Sequence, residues 1–152
     1  MRHLKEYFSK GLIIKVIREF CLVGVFLTRL PFCITKKIKD EELAESSWAF
    51  SLVGLLVGLI GGVVYLAVNK CNLNSLMCSG LSIFVIILVT GAIHEDGLAD
   101  TIDGVGGGND QNQKLRIMRD SCIGSYGVLS LIFSVIFRWV GLAQFSGPET
   151  AI

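Results

Sequence analysis

Four carboxylates fall within nine residues, in the stretch His94-Glu95-Asp96-Gly97-Leu98-Ala99-Asp100-Thr101-Ile102-Asp103-Gly104. Like charge at that density repels itself unless a counter-ion is present. On a helix, Asp96, Asp100 and Asp103 stand at i, i+4 and i+7, within about 60° of one another around the axis. A few hard oxygen donors suit a divalent cation, Mg²⁺ above all, which keeps several waters and takes substrate phosphate beside one or two carboxylates. Glu95 points about 100° away from Asp96 on the same helix, as a base, a second-metal ligand or a solvated charge. His94 is as well suited to capping or orienting the acids as to carrying protons. The four- and three-residue spacing excludes an EF-hand loop, which needs ligands at positions one, three, five and twelve. Leu98, Ala99 and Ile102 interleave the acids and argue against a wholly solvated helix end.

The next stretch, Gly104-Val105-Gly106-Gly107-Gly108-Asn109-Asp110, reads as a loop. Its backbone N–H groups, those of Gly106 and Gly107 among them, could cradle phosphate; a flexible turn is the alternative. It is not a P-loop, because no Lys-Ser or Lys-Thr follows at the required offset. Lys114, Arg116 and Arg119 come next at helical spacing, either neutralising the acids or facing a ligand. Cation, backbone donors and basic side chains together are the parts that hold and neutralise a pyrophosphate in phosphoryl transfer.

The elements that must position these groups are apolar. Of the 152 residues, 52% are hydrophobic and 18% charged, against about a quarter charged in an average soluble domain. The 14 basic and 13 acidic residues leave a net charge of +1, without the clustered basic excess of a nucleic-acid binder. The five cysteines form no C-x-x-C pair, so neither a zinc site nor a disulfide framework is indicated. The composition predicts an all-α, multi-spanning helical integral membrane protein. Residues 48–68 form an uncharged run of 21 residues, about 31 Å as a helix and enough to cross a hydrocarbon core. Gly54, Gly58 and Gly62 recur along it, either as a smooth face for a neighbouring helix or as tolerated glycines. Further spans are expected at 76–93 and at 126–145, where Arg138 needs a partner or an interfacial position. Residues 1–47 read as a cytoplasmic or interfacial segment, with Leu12 to Phe32 lying on the membrane surface. Their excess of Lys and Arg over the first connection places them, and the 94–125 segment, in the cytoplasm.

The acidic stretch, continued by Lys114-Leu115-x-Ile117-Met118-x-Asp120-Ser121-x-Ile123-Gly124-Ser125-Tyr126-Gly127, resembles the cobalamin synthase family, the adenosylcobinamide-GDP ribazoletransferases. Phe26-Leu27-Thr28-Arg29-Leu30-Pro31 matches the same family's N-terminal signature. The resemblance implies a Mg²⁺-dependent enzyme of the inner (plasma) membrane, acting late in vitamin B12 synthesis. Such an enzyme joins adenosylcobinamide-GDP to α-ribazole or its 5′-phosphate and releases GMP. Its catalytic set here would be His94, Glu95, Asp96, Asp100 and Asp103, with Mg²⁺ on the three aspartates. Substrate would be held by Arg29, Gly106, Gly107, Lys114, Arg116, Arg119 and Asp120. Two positions depart from the family's usual pattern: Cys122 stands where Arg is common, and Cys33 where Pro is common.

The family continues with further helices and a Gly-Asp-x-x-Gly motif. The 146–152 tail supplies neither, so the chain reads as C-terminally truncated, with weak or no activity until the missing part is restored in cis or from a separate chain; its expected partner is that missing part or a second copy of itself. The aspartate spacing is also similar to that of CDP-alcohol phosphotransferases. A non-enzymatic cation-transport subunit is the alternative of another class, although the two clear spans contain no ionisable group. The topology makes a direct prediction: a membrane-impermeant thiol reagent reaches Cys122 from the cytoplasmic face, and labelling only from the opposite face would overturn the orientation.

Overall fold

A computed structural model describes residues 2–32 and 40–144, with side chains from 11 to 32 and 41 to 144. Cys33, Phe145 at the end of the third expected span, and the 146–152 tail lie outside the described residues. The described chain is all helix: α1 (Arg2–Leu27), α2 (Asp40–Glu45), α3 (Ala49–Asn69), α4 (Ser75–Thr90), α5 (Ile93–Gly107), α6 (Gln111–Ile117) and α7 (Ser125–Gln144). It divides into two compact units, Met1–Leu59 and Ile60–Ile152.

Two described helices, α3 and α7, are long and apolar enough to cross a membrane, with mean hydropathies of 2.4 and 1.7. The first stands one residue from the expected 48–68, and the second starts one residue before the expected 126. The protein is a helical membrane protein. The second span departs from expectation. Instead of running to residue 93, α4 stops at Thr90, because Gly91 and Ala92 both turn left-handed (φ 65° and 60°). The Gly91 N–H donates to the Leu88 carbonyl at 3.2 Å, and the Ala92 N–H reaches back to the Ile87 carbonyl at 3.0 Å. This is the closure by which helices commonly end. The Ala92 carbonyl then accepts from the Asp96 N–H at 2.9 Å, starting α5 at 86° to α4. The carboxylates therefore sit on a helix of their own, not on a continuation of the apolar one.

In the first unit, Leu22 and Val23 of α1 pack with Ala49 and Val53 of α3. Trp48 Nε1 donates to Glu19 Oε2 at 2.7 Å, and Arg18 Nη2 to Glu42 Oε1 at 2.9 Å. Leu12, Ile13, Ile14 and Ile17 of α1 are exposed.

In the second unit, α3 meets α4 through Gly61, where an added Cβ would lie 2.5 Å from Ile86 Cδ1. Ser82 Oγ donates to the Gly61 carbonyl at 2.7 Å. The anticipated stripe of Gly54, Gly58 and Gly62 makes no such contact: a Cβ at any of the three meets nothing within 4 Å among the described residues. Trp139 of α7 lies over Gly80 of α4 and donates from Nε1 to the Leu76 carbonyl at 2.7 Å. Gly61→Leu is therefore expected to lower stability by roughly 1–3 kcal/mol, the cost of overpacking, while Gly54→Leu is close to neutral; thermal unfolding of the two purified variants checks the difference.

Candidate functional site

The acidic helix α5 packs against both α6 and α7. Asp96 and Asp100, one turn apart, line a cleft of about 360 Å³. The opposite wall is the segment after α6, with Arg119, Asp120, Ser121 and Cys122. That wall is shaped by short local bonds: the Arg119 N–H donates to the Arg116 carbonyl at 3.2 Å, and Asp120 Oδ1 accepts from the Cys122 N–H at 3.2 Å. Arg119 and Asp120 also border a second depression of about 440 Å³, shared with Asn112, Leu115 and Arg116. Asp96 and Asp100 thus line one depression, Arg116 the other, and Arg119 and Asp120 line both.

The remaining acids of the motif turn away from the cleft. Asp103 is 7% exposed; its Oδ2 accepts from the Gly124 N–H at 2.7 Å and its Oδ1 from the Gly127 N–H at 2.8 Å. The Gly124 amide comes just before α7 and the Gly127 amide lies in its first turn, where N–H groups have no partner within the helix. A Cβ at Gly124 would lie 2.5 Å from Asp103 Oδ1, so the close approach requires glycine there. Glu95, 12% exposed, accepts from Arg138 Nη2 at 2.8 Å through Oε1, while its Oε2 is buried without a partner among the described residues. Arg138, the charge inside the third span, thereby finds its counter-ion 43 residues earlier in the chain. His94 is exposed, and neither it nor Glu95 lines the cleft.

The glycine cluster is not a phosphate-cradling loop. Residues 104–107 form the last turn of α5, and the Gly108 N–H closes on the Gly104 carbonyl at 3.1 Å, so Gly106 and Gly107 present helical backbone. Their neighbours explain the composition. A Cβ at Gly104 would lie 2.6 Å from Met118 Cγ, one at Gly106 2.8 Å from Tyr126 Cδ2, and one at Gly108 2.5 Å from Lys114 Cγ. Small residues let α6 and α7 close onto α5, and the stem of Lys114 is part of that packing. Helix α6 itself starts at Asp110, whose Oδ1 accepts from the Gln113 N–H at 2.9 Å while Gln113 Oε1 accepts from the Asn109 N–H at 2.9 Å, a reciprocal cap. Arg29 belongs to the first unit, exposed just beyond α1.

The two cleft aspartates are a donor set that fits Mg²⁺: hard oxygens from two carboxylates, with room left for water and phosphate. Among the described residues no group of three or more His, Cys, Asp or Glu is arranged around a common metal position.

Residues 19–152 match the family described as cobalamin-5-phosphate synthase. The chain belongs to that family. Among curated relatives of this synthase family, it is 44% identical over 133 residues to an adenosylcobinamide-GDP ribazoletransferase of Bradyrhizobium diazoefficiens, a match covering 88% of this chain and 51% of that protein. A ribazoletransferase of Mesorhizobium japonicum is 38% identical over 138 residues, covering 91% and 53%. One of Shewanella baltica is 41% identical over 130 residues, covering 86% and 49%. The chain thus spans about half the length of the curated relatives it matches. No solved structure matches it.

Within this synthase-family chain, the packing role of Gly106 can be separated from a ligand role. Gly106→Ala is expected to destabilise by roughly 1–3 kcal/mol through its clash with Tyr126, and Tyr126→Leu in the same chain recovers part of the loss. A double-mutant cycle of unfolding free energies with no coupling between the two positions would contradict this.

Proposed function

We propose that the chain carries the acidic cleft of an adenosylcobinamide-GDP ribazoletransferase of the bacterial inner membrane, with the N-terminus and the cleft on the cytoplasmic side. The single observation that carries the reading is the cleft itself, with paired Asp96 and Asp100 on one wall and Arg119 on the other, in a chain whose family match takes in both walls. A hydroxyl of α-ribazole, or of its 5′-phosphate, attacks the phosphorus that links cobinamide to the GDP group. The new P–O bond forms as the bond to GMP breaks, and the hydroxyl proton is given up.

Asp96 and Asp100 would hold Mg²⁺. When bound, the ion supplies Lewis-acid polarisation of phosphoryl oxygens and a template for the pyrophosphate. Arg119, facing both the cleft and the neighbouring depression, neutralises charge on the departing phosphate, and Arg116 extends that basic border. The guanidinium plane suits phosphate oxygens better than an ammonium would. Cys122 lies in the cleft wall, so the substitution of the family's usual Arg removes a cation from the site itself and leaves Arg119 as the guanidinium of that wall. Asp120 has one oxygen on the Cys122 N–H; its other oxygen takes the hydroxyl proton as a general base.

In lipid nanodiscs with Mg²⁺, the chain is expected to bind adenosylcobinamide-GDP. Asp100→Asn weakens binding at least tenfold, and Arg119→Gln weakens it with a shallower dependence on salt. In a full-length relative, GMP release, rather than GDP release, on addition of α-ribazole identifies the bond that is broken. Binding that ignores Mg²⁺ and survives Asp100→Asn would remove the metal assignment, and no binding by the parent chain would remove the whole reading.

A further inference from the structure

The four carboxylates of α5 are not equivalent in their surroundings. Asp96 and Asp100 open on the cleft. Asp103 spends both oxygens on the Gly124 and Gly127 amides, and Glu95 meets Arg138. The two outer contacts pair residue 95 with 138 and residue 103 with 124 and 127, so α5 and α7 run antiparallel along this seam. The contacts lie eight residues apart on α5, about 12 Å, and the cleft aspartates stand between them in sequence.

Gly124 directly follows Ile123, the last residue of the segment that forms the opposite wall of the cleft. Whatever fixes Gly124 on α5 therefore fixes the far wall relative to Asp96 and Asp100. Charged acceptors on backbone amides are among the stronger hydrogen bonds, and a carboxylate set on the first turn of a helix gains from its dipole as well. At the other end, Glu95 Oε2 is buried with no partner among the described residues, so Arg138 is the cation that compensates this carboxylate. Removing that partner alone leaves an uncompensated charge, whereas removing both does not.

We propose that Glu95 and Asp103 are positioning residues that clamp α5 along α7 and so set the distance between the cleft's two walls, leaving Asp96 and Asp100 as the ligands within the motif. The proposal rests on the function stated above for its consequence on substrate, but the clamp itself does not. Because both ligands are on one helix, loosening the clamp leaves their mutual geometry intact and separates them from Arg119 and Asp120. Metal affinity and substrate affinity then respond differently, which neither a third metal ligand nor a general loss of fold would produce.

The test compares Asp103→Asn, Glu95→Gln and Asp100→Asn in the full chain in nanodiscs, by three measurements. Amide hydrogen exchange at Gly124 and Gly127 is expected to quicken at least tenfold in Asp103→Asn and to stay at the parent rate in Asp100→Asn. Mn²⁺ binding, read by its paramagnetic resonance signal, is expected to stay within twofold of the parent in Asp103→Asn and Glu95→Gln and to weaken at least tenfold in Asp100→Asn. Binding of adenosylcobinamide-GDP with Mg²⁺ is expected to weaken at least tenfold in Asp103→Asn. The paired variant Glu95→Gln with Arg138→Gln is expected to keep the weakened substrate binding of Arg138→Gln, because the tie to α7 is absent in both, and to regain only thermal stability, because the uncompensated charge is gone.

Gly127→Ala reaches the same clamp from α7 without altering any charge, because its Cβ would meet the Asp103 carboxylate. It is expected to reproduce the Asp103→Asn pattern, and serves if that variant does not fold. Loss of Mn²⁺ binding in Asp103→Asn to the extent seen in Asp100→Asn would make Asp103 a ligand and overturn the proposal. Unchanged exchange at Gly124 and Gly127 would overturn it as well. A parent chain that holds Mn²⁺ and shows the exchange pattern but binds no adenosylcobinamide-GDP would instead refute the function while leaving the clamp in place.

Discussion

Two consecutive left-handed residues, Gly91 and Ala92, stop an apolar helix and start an acidic one at 86° to it. Glycine adopts that conformation without steric cost, whereas in alanine it costs roughly 1–2 kcal/mol. The surrounding bonds hold Ala92 there, its N–H on the Ile87 carbonyl and its carbonyl on the Asp96 N–H. Without this reversal the carboxylates would continue along the axis of α4. With it, α5 lies against α6 and α7, and its acids are sorted by what those helices offer them.

The sorting follows from the chemistry of each neighbour. The start of α7 has backbone donors to satisfy, and Asp103 meets two of them. Arg138 brings a charge into an apolar helix, and Glu95 meets it. Asp96 and Asp100 face the segment after α6, which supplies a guanidinium and a carboxylate. Glycine at 104, 106 and 108 permits this arrangement, since each added Cβ would strike α6, the residues just after it or α7.

Much of the fold was legible in the sequence because hydropathy reports on solvent. The uncharged run at 48–68, and the start of the apolar run at 126–145, could be read within a residue of the helices that form, since length and polarity suffice to mark a span. The turn at Gly91 and Ala92 was not, for neither residue interrupts the hydropathy, and Gly91, the one local mark of a helix end, looks no different from the glycines inside the spans. The helical spacing placed Asp96 and Asp100 on one face correctly, yet spacing describes a helix in isolation and is blind to what packs against it. That Asp103 meets amides, and Glu95 meets Arg138, depends on residues 21 to 43 positions away. Arg138 did carry a signal, a charge in an apolar helix that required a partner. Gly124 and Gly127, three apart at the head of a span, are a fainter one. The glycine cluster misled because glycines that permit close packing and glycines that free a loop have the same composition.

The 16 residues of α4 reach about 24 Å, some 6 Å short of a typical hydrocarbon core. A short helix in a bilayer is accommodated by local thinning, by polar residues reaching out from its end or by association with neighbours, each at a fraction of a kcal/mol per Å. Since α5 departs from that end at 86°, the acidic helix is coupled to bilayer thickness through the length of α4.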